Sequence, residues 1–204
     1  MSILLSDVRV HEMPLRDNGE PLVSLTFAPA VSVRAGLADR LHQARAALPP
    51  GIDLRVVEGH RSPADQQAII DRYTAELRGL HPDAGEAELG RLSSRFVAPM
   101  AVAPHVAGAA VDLTLVDDTG DELWMGTPID ATPEQSDGKC FFDADVDPIA
   151  RTHREMLARA LTGAGLVNYP TEWWHWSFGD RYWALTTGAA HAVYGPVEVE
   201  VRVA

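Results

Sequence analysis

The stretch His105-Val-Ala-Gly-Ala-Ala-Val-Asp-Leu-Thr-Leu-Val116 begins with a histidine and ends in a segment with the pattern of a strand. Its second half alternates apolar with polar residues, and this period of two predicts a strand with one side against a core. Asp112 lies on the polar side of that strand. Because Gly108 permits a sharp turn between them, His105 and Asp112 can converge on one point.

A second motif, Glu172-Trp-Trp-His175, follows later in the chain. In a fully extended strand Glu172 and His175 would lie on opposite faces, so we expect Glu172 to lie in a bend just after Pro170. Two imidazoles and one carboxylate, with water in the fourth position, form a catalytic zinc site. We therefore predict one Zn²⁺ per chain, held by His105, Asp112 and His175, with Glu172 as the general base.

The composition is that of an acidic protein with one substantial core. The chain has 204 residues, 46% of them hydrophobic, and a net charge of -12, which suits a single domain. Lys139 is the only lysine among 17 basic residues, so there is no basic stripe to follow a phosphate backbone, and nucleic acid is not an expected partner. Residues 1–20 lack the pattern of a secretory signal or membrane anchor, so we expect a cytoplasmic protein with no membrane partner.

The rest of the chain predicts helices and strands in mixed order. Apolar residues recur every three to four positions from Val33 to Leu48, which predicts an amphipathic helix. A strand at 54–58 leads into a helix with Ser62 as N-cap and Pro63 at its first position. Further predicted elements are a helix over 86–95 and strands over 173–178 and 197–203. An acidic surface loop over 128–147 could form one wall of a cleft. A predicted helix begins at Asp147 and has one mostly apolar stripe, formed by Ile149, His153, Met156, Leu157 and Leu161. We therefore expect an α+β fold, a single domain over 1–204 whose helices flank an antiparallel sheet with a zinc-containing cleft.

Aromatic residues surround the second motif in the sequence. Such a cluster first of all packs a core and keeps water away from a metal. One of Trp174 and Trp176 is expected to line the pocket, and Trp174 is the predicted substrate contact.

The two motifs, His105-x6-Asp112 and Glu172-x2-His175, resemble those of the D-alanyl-D-alanine dipeptidases, the VanX type among the LAS and hedgehog-like zinc peptidases. The similarity covers roughly residues 33–185 and includes Ala110–Leu115, Met125–Asp130 and an arginine-rich helix. The resemblance implies zinc binding by His105, Asp112 and His175, a base role for Glu172, a position for Arg61 facing the scissile carbonyl, and pairing of Asp130 with the free amino group of a small peptide substrate.

Both substrate roles suit the chemistry of these side chains. A fixed guanidinium can stabilise the negative charge of a tetrahedral intermediate, although Arg61 could instead pair with Glu58 or Asp65. A buried carboxylate binds an ammonium group through a charge-assisted hydrogen bond, although the acidic loop offers carboxylates other than Asp130.

The chain departs from the family around the first zinc histidine. Ala103-Pro104 and Val106-Ala107 stand where the family has serines and an arginine, so hydroxyls that could contact the substrate are missing. The Arg-Ser form of Glu58-Gly-His-Arg-Ser-Pro63 resembles related D,D-carboxypeptidases. The leading hypothesis is hydrolysis of D-Ala-D-Ala or a related D-amino-acid dipeptide by a metal-activated water. The alternatives are a D,D-carboxypeptidase or muropeptide hydrolase, and a non-catalytic zinc-stabilised binding module, against which Glu172 and Arg61 argue.

Overall fold

A four-stranded sheet organises the molecule. The computed structural model describes residues 2–197, and the strands of this sheet lie in the order β3 (Ile52–Glu58), β4 (Ala110–Asp117), β6 (His175–Ser177) and β5 (Val167–Asn168). Every neighbouring pair is antiparallel. Because β4 is central, its residues from Ala110 to Val116 are buried on both faces.

The other elements flank this sheet. A hairpin of β1 (Leu22–Leu25) and β2 (Ala28–Arg34) forms a second, two-stranded sheet. The helices are α1 (Val8–Glu12), α2 (Ala35–Ala46), α3 (Pro63–Leu80), α4 (Glu86–Ser93), α5 (Pro148–Gly163) and α6 (Arg181–Thr187), with a 3-10 turn at Met100–Val102. Within residues 2–197, no helix combines the length and apolar character needed to cross a bilayer. The predicted α+β class is confirmed.

The main core covers one face of β4. It consists of aliphatic side chains from β4, α2 and α5, namely Val111, Leu113, Leu115, Leu37, Leu41, Leu157 and Leu161. Burying each such side chain contributes about 1.5–3 kcal/mol, so this choice of face is strongly fixed. Asp112 and Thr114 consequently project from the opposite face, as the alternation predicts.

Side-chain caps begin the two long helices at the predicted positions. The Ser62 hydroxyl accepts a hydrogen bond from the Asp65 N–H (3.1 Å), with Pro63 in the first turn of α3. The Asp147 carboxylate accepts hydrogen bonds from the N–H groups of Ile149 and Ala150 (3.0 Å each) at the start of α5. These oxygens satisfy N–H groups that no helical carbonyl reaches.

The predicted start of α2 is wrong. The helix begins at Ala35, because Val33 and Arg34 end β2, where they pair with Val23 and Leu22. The spacing of Val33 fits a helical period by coincidence, and cross-strand pairing in the hairpin determines its conformation.

The predicted stripe of α5 is confirmed at Leu157 and Leu161, which are buried, and is wrong at Ile149, which is 63% exposed. Ala150 and Arg154 complete the buried face of the helix. The helix turns an arginine inward because the Arg154 guanidinium binds backbone carbonyls beneath it. The strand predicted over 197–203 lies outside the described residues, apart from Val197, which is in no strand.

Candidate active site

The register of the sheet puts three polar side chains in one row. Asp112 on β4 is the cross-strand partner of His175 on β6 and of Glu58 on β3. Cross-strand partners project to the same face of a sheet, here the face opposite the main core. Residues far apart in the sequence therefore meet at one place.

His105, Asp112 and His175 form a tight, buried group. Nε2 of His105 lies 3.1 Å from Nδ1 of His175, and these nitrogens lie 3.3 and 3.0 Å from the two Asp112 carboxylate oxygens. One ligand atom from each residue falls within 4.8 Å of the others. This spacing suits three side chains that share one metal ion.

A backbone carbonyl fixes the orientation of the His105 ring. Its Nδ1 lies 2.7 Å from the carbonyl oxygen of Gly59. Because a carbonyl only accepts, Nδ1 carries a proton, and in the neutral form of the ring the lone pair of Nε2 faces the Asp112 carboxylate. Two groups that both offer lone pairs share a cation readily, so the residues present fit a bound metal.

The electrostatics of the group also suit a cation. Burial would raise the pKa of Asp112, but the His105 and His175 imidazoles hold it well below its usual range. At His105, burial lowers the pKa and the Asp112 carboxylate raises it, with a net rise. At His175 burial prevails, and the pKa is lowered. An ionised carboxylate thus lies between two rings.

Two consecutive turns place Glu172 beside His175. The Glu172 N–H donates to the carbonyl of Tyr169 (2.9 Å) across a turn that contains Pro170, and the His175 N–H donates to the carbonyl of Glu172 (3.4 Å). Glu172 therefore lies in the expected bend. Its Oε2 is 3.8 Å from Nδ1 of His175.

Glu172 and Asp130 both have a raised pKa. For Glu172, burial and the neighbouring Asp112 and Asp130 carboxylates raise the pKa well above its ordinary value. For Asp130, burial and the carboxylates of Asp112 and Glu58 raise it to about 6. Asp130 also adopts a left-handed backbone conformation, with φ of 62°, which aspartate tolerates better than most residues.

Arg61 faces the cleft while its guanidinium is held from behind. Its Nε lies 2.8 Å from Oε1 of Glu58, and its Nη2 pairs with the other carboxylate oxygen. Nη1 donates to the side-chain oxygen of Gln66 (2.9 Å), and Gln66 donates to the carbonyl of Ala98 (2.8 Å). Burial lowers the pKa of Arg61, but the bonds to Glu58 outweigh it, so the pKa is raised. Of the two alternative partners predicted for Arg61, Glu58 is the one that binds and anchors it. The Asp65 carboxylate instead accepts a hydrogen bond from the Ser62 hydroxyl.

One cavity of about 330 Å³ unites these groups. All of the predicted site residues line it, namely Arg61, His105, Asp112, Asp130, Glu172, Trp174 and His175, whereas Trp176 does not. Sequence reasoning missed Gln66, Ile69 and Tyr73, which also line the cavity. Their spacing of three and four residues on a helix that starts beside Arg61 was the available signal.

A buried arginine supports the loop that carries Asp130. The Arg154 guanidinium donates to the carbonyls of Met125 (2.7 Å), Lys139 (2.7 Å) and Phe141 (2.6 Å), and more weakly to that of Phe142 (3.1 Å). Burial lowers its pKa to about 10, so it stays charged near neutral pH. This side chain therefore clamps both ends of the 125–142 segment.

A family model defines the class of this protein. The model, Peptidase_M15, described as D-ala-D-ala dipeptidase, matches residues 86–192, which is more than half of the chain and includes both motifs. The chain belongs to this family and is a metallopeptidase. The resemblance predicted from the motifs is confirmed.

Individual relatives carry the same description. A D-alanyl-D-alanine dipeptidase from Synechocystis sp. is 29% identical over an alignment of 237 residues, covering 91% of this chain and 95% of the relative. The D-alanyl-D-alanine dipeptidase of Escherichia coli is 39% identical over 71 residues, 35% of each chain. Among solved structures, the vancomycin resistance D,D-dipeptidase VanXYg in complex with a D-Ala-D-Ala phosphinate analog is 20% identical, covers 89% of this chain and 69% of that chain, and has a TM-score of 0.49.

Proposed function

We propose that this protein is a zinc-dependent dipeptidase that hydrolyses D-Ala-D-Ala or a closely related D-amino-acid dipeptide. The observation that carries the proposal is the position of the Glu172 carboxylate, 3.8 Å from a ring nitrogen of the buried His105, Asp112 and His175 group. A base next to a three-ligand site is the arrangement of a hydrolytic centre, since a purely structural site has four protein ligands and needs no base.

His105, Asp112 and His175 would hold the zinc. Two neutral imidazoles and one carboxylate leave the site with a net positive charge. When bound, zinc supplies a polarised water whose pKa is lowered to about 7. The protein's own contribution is to fix the ligands, through the Gly59 carbonyl at His105 and the β4–β6 register at Asp112 and His175.

Glu172 acts as general base and then as general acid. Its carboxylate takes a proton from the attacking water and passes it to the leaving amine. The bend after Pro170 holds it on the side of His175, and burial excludes bulk water from the transfer.

Arg61 stabilises the charge that develops on the former carbonyl oxygen. The bonds to Glu58 and Gln66 use three of its N–H groups, and a guanidinium has about five, so donors remain for the substrate. Because Arg61 is already anchored, it needs little reorganisation in the transition state, which is the condition for effective electrostatic stabilisation.

Asp130 binds the free amino group of the substrate. It lines the same cavity as the metal-binding group, and its carboxylate makes no side-chain hydrogen bond within residues 2–197. An ammonium group would both satisfy this carboxylate and offset the repulsion from Asp112 and Glu58. Trp174 supplies apolar lining for the same substrate.

The deciding experiment measures amino-acid release from D-Ala-D-Ala by the zinc-loaded protein and by Glu172→Gln. We expect kcat to fall by about 100-fold or more in the variant, with zinc content unchanged, because proton transfer is lost while the ligands remain. Glu122→Gln, which changes an exposed carboxylate that pairs with Arg55 and does not line the cavity, is the matched control and should retain full turnover.

Three results would contradict parts of the proposal. Full activity of zinc-loaded Glu172→Gln would remove the base assignment. Turnover of N-acetyl-D-Ala-D-Ala but not of the free dipeptide would favour a D,D-carboxypeptidase. Stable zinc binding without hydrolysis of any D- or L-dipeptide would favour the non-catalytic binding module.

A further inference from the structure

A small polar cluster joins the two sides of the cleft. The Tyr73 hydroxyl on α3 donates to Oε2 of Glu134 (2.6 Å), and Arg95, which follows α4, pairs with the other oxygen of the same carboxylate. The Arg95 and Glu134 side chains are only 22% and 21% exposed. Partial burial makes such a pair more persistent than an ion pair in open solvent. We call Tyr73, Glu134 and Arg95 the Glu134 latch.

The segment that carries Glu134 is itself rigid. Thr132 and Gln135 form a reciprocal pair, in which the Gln135 N–H donates to the Thr132 hydroxyl and the Thr132 N–H donates to the Gln135 side-chain oxygen (3.2 Å each). The Ser136 N–H also donates to the Thr132 carbonyl (3.0 Å). This capping-box arrangement fixes the direction in which Glu134 points.

The latch lies directly behind the cavity lining. Tyr73 lines the cavity on the α3 side, and Thr132 and Gln135 line it on the loop side, while Glu134 joins the two behind them. Asp130 precedes Glu134 by four residues, which limits their separation to about 14 Å even in an extended chain. Within the latch, Glu134 therefore lies on the same cavity-lining segment as Asp130, the carboxylate proposed to bind the substrate amino group.

We propose that the Glu134 latch closes the cleft beside Asp130 and so selects peptides that end at a free amino group. This inference rests on the proposed dipeptidase function. In this proposal, a peptide extended or acylated at its amino end is directed toward the space between α3 and the 132–136 turn, and the 2.6 Å hydrogen bond from Tyr73 to Glu134 joins these two elements across it. Tyr73, Glu134 and Arg95 are thus specificity-determining residues, which act by holding the 132–136 turn against α3.

The test compares kcat/KM for D-Ala-D-Ala and N-acetyl-D-Ala-D-Ala in wild type, Glu134→Ala, Tyr73→Phe and the control Glu122→Gln. We expect wild type to prefer the free dipeptide strongly. In Glu134→Ala, kcat/KM for the acetylated peptide divided by kcat/KM for the free dipeptide should rise by about tenfold or more. Pocket contacts discriminate substrates on this scale. Tyr73→Phe should shift the ratio in the same direction by less, because Arg95 still holds Glu134.

The outcomes separate this inference from the proposed function. If wild type cleaves neither peptide, the dipeptidase proposal is wrong and the inference fails with it. If wild type cleaves the free dipeptide but the ratio moves no further in the latch variants than in Glu122→Gln, only the inference is wrong. A wild type that cleaves both peptides equally well also overturns it. Should Glu134→Ala fail to fold, Tyr73→Phe, which loses a single hydroxyl, decides the question.

Discussion

The two walls of the cleft are held in different ways. The sheet wall, with Glu58, Asp112 and His175, is fixed by backbone pairing between β3, β4 and β6. The loop wall, residues 125–142 with Asp130, has no strand or helix, and side chains such as Arg154 hold it in place. Two of the three proposed zinc ligands, Asp112 and His175, thus lie on the wall that backbone pairing fixes, whereas a group proposed for substrate selection lies on the wall that side chains hold. Changes to the loop wall should alter substrate binding without removing the metal.

The largest expected effect comes from changing the sheet wall. Asp112→Asn replaces the ionised ligand by a neutral amide, and we expect zinc affinity to fall by more than about 100-fold, the upper range for outer partners of a metal site. Hydrolysis should be lost with the metal. Zinc retained after dialysis against a competing chelator measures the effect, and circular dichroism checks the fold. Asp118→Asn, in the exposed turn after β4, is the control and should retain zinc like wild type. Equal retention by both variants would exclude Asp112 as a ligand.

The second effect should be confined to the loop wall. Arg154→Lys keeps the charge but cannot reach all the carbonyls that the guanidinium binds. Each buried carbonyl left without a donor costs about 1–3 kcal/mol, so we expect the free energy of unfolding to fall by about 2–4 kcal/mol. KM for the dipeptide should rise because Asp130 is displaced, while zinc affinity stays unchanged.

Urea denaturation and steady-state kinetics measure the two parts of this prediction. Arg91→Lys is the control, because it makes the same exchange in an exposed pair with Glu88. A loss of zinc affinity in Arg154→Lys, equal to its rise in KM, would show that the two walls are not independent.

The sheet wall could be predicted from the sequence because its pattern is periodic. The alternation around Asp112 gave the buried strand, and Pro170 gave the bend that brings Glu172 beside His175. The caps at Ser62 and Asp147 likewise fixed the starts of α3 and α5. In each case, neighbours in the sequence determine the geometry.

The loop wall could not be predicted in the same way. The apolar stripe predicted for α5 did not include Arg154. The inward position of Arg154 depends on its hydrogen bonds to carbonyls of residues 125–142, which no local pattern in α5 indicates. The Glu134 latch joins residues 61 positions apart, and no local pattern encodes that contact. The pairing of Thr132 with Gln135 was readable, since Thr-x-x-Gln is a capping-box spacing.

The smallest effect concerns the charge on the loop wall. The pKa of Asp130 is raised to about 6, so its carboxylate is ionised above that pH and neutral below it. The substrate ammonium stays protonated throughout, and the pair is therefore lost as the pH falls through 6. We expect KM for D-Ala-D-Ala to rise about tenfold between pH 7 and pH 5, in proportion to the lost ionised fraction. In Asp130→Asn, KM should be high at both pH values and nearly independent of pH.

The assay measures KM, kcat and zinc content separately at each pH. Protonation at the sheet wall would lower kcat or release zinc, whereas protonation of Asp130 would raise KM, so these measurements show which wall is responsible. A KM that falls with acidification, or a pH dependence retained in Asp130→Asn, would mean that another group binds the amino end.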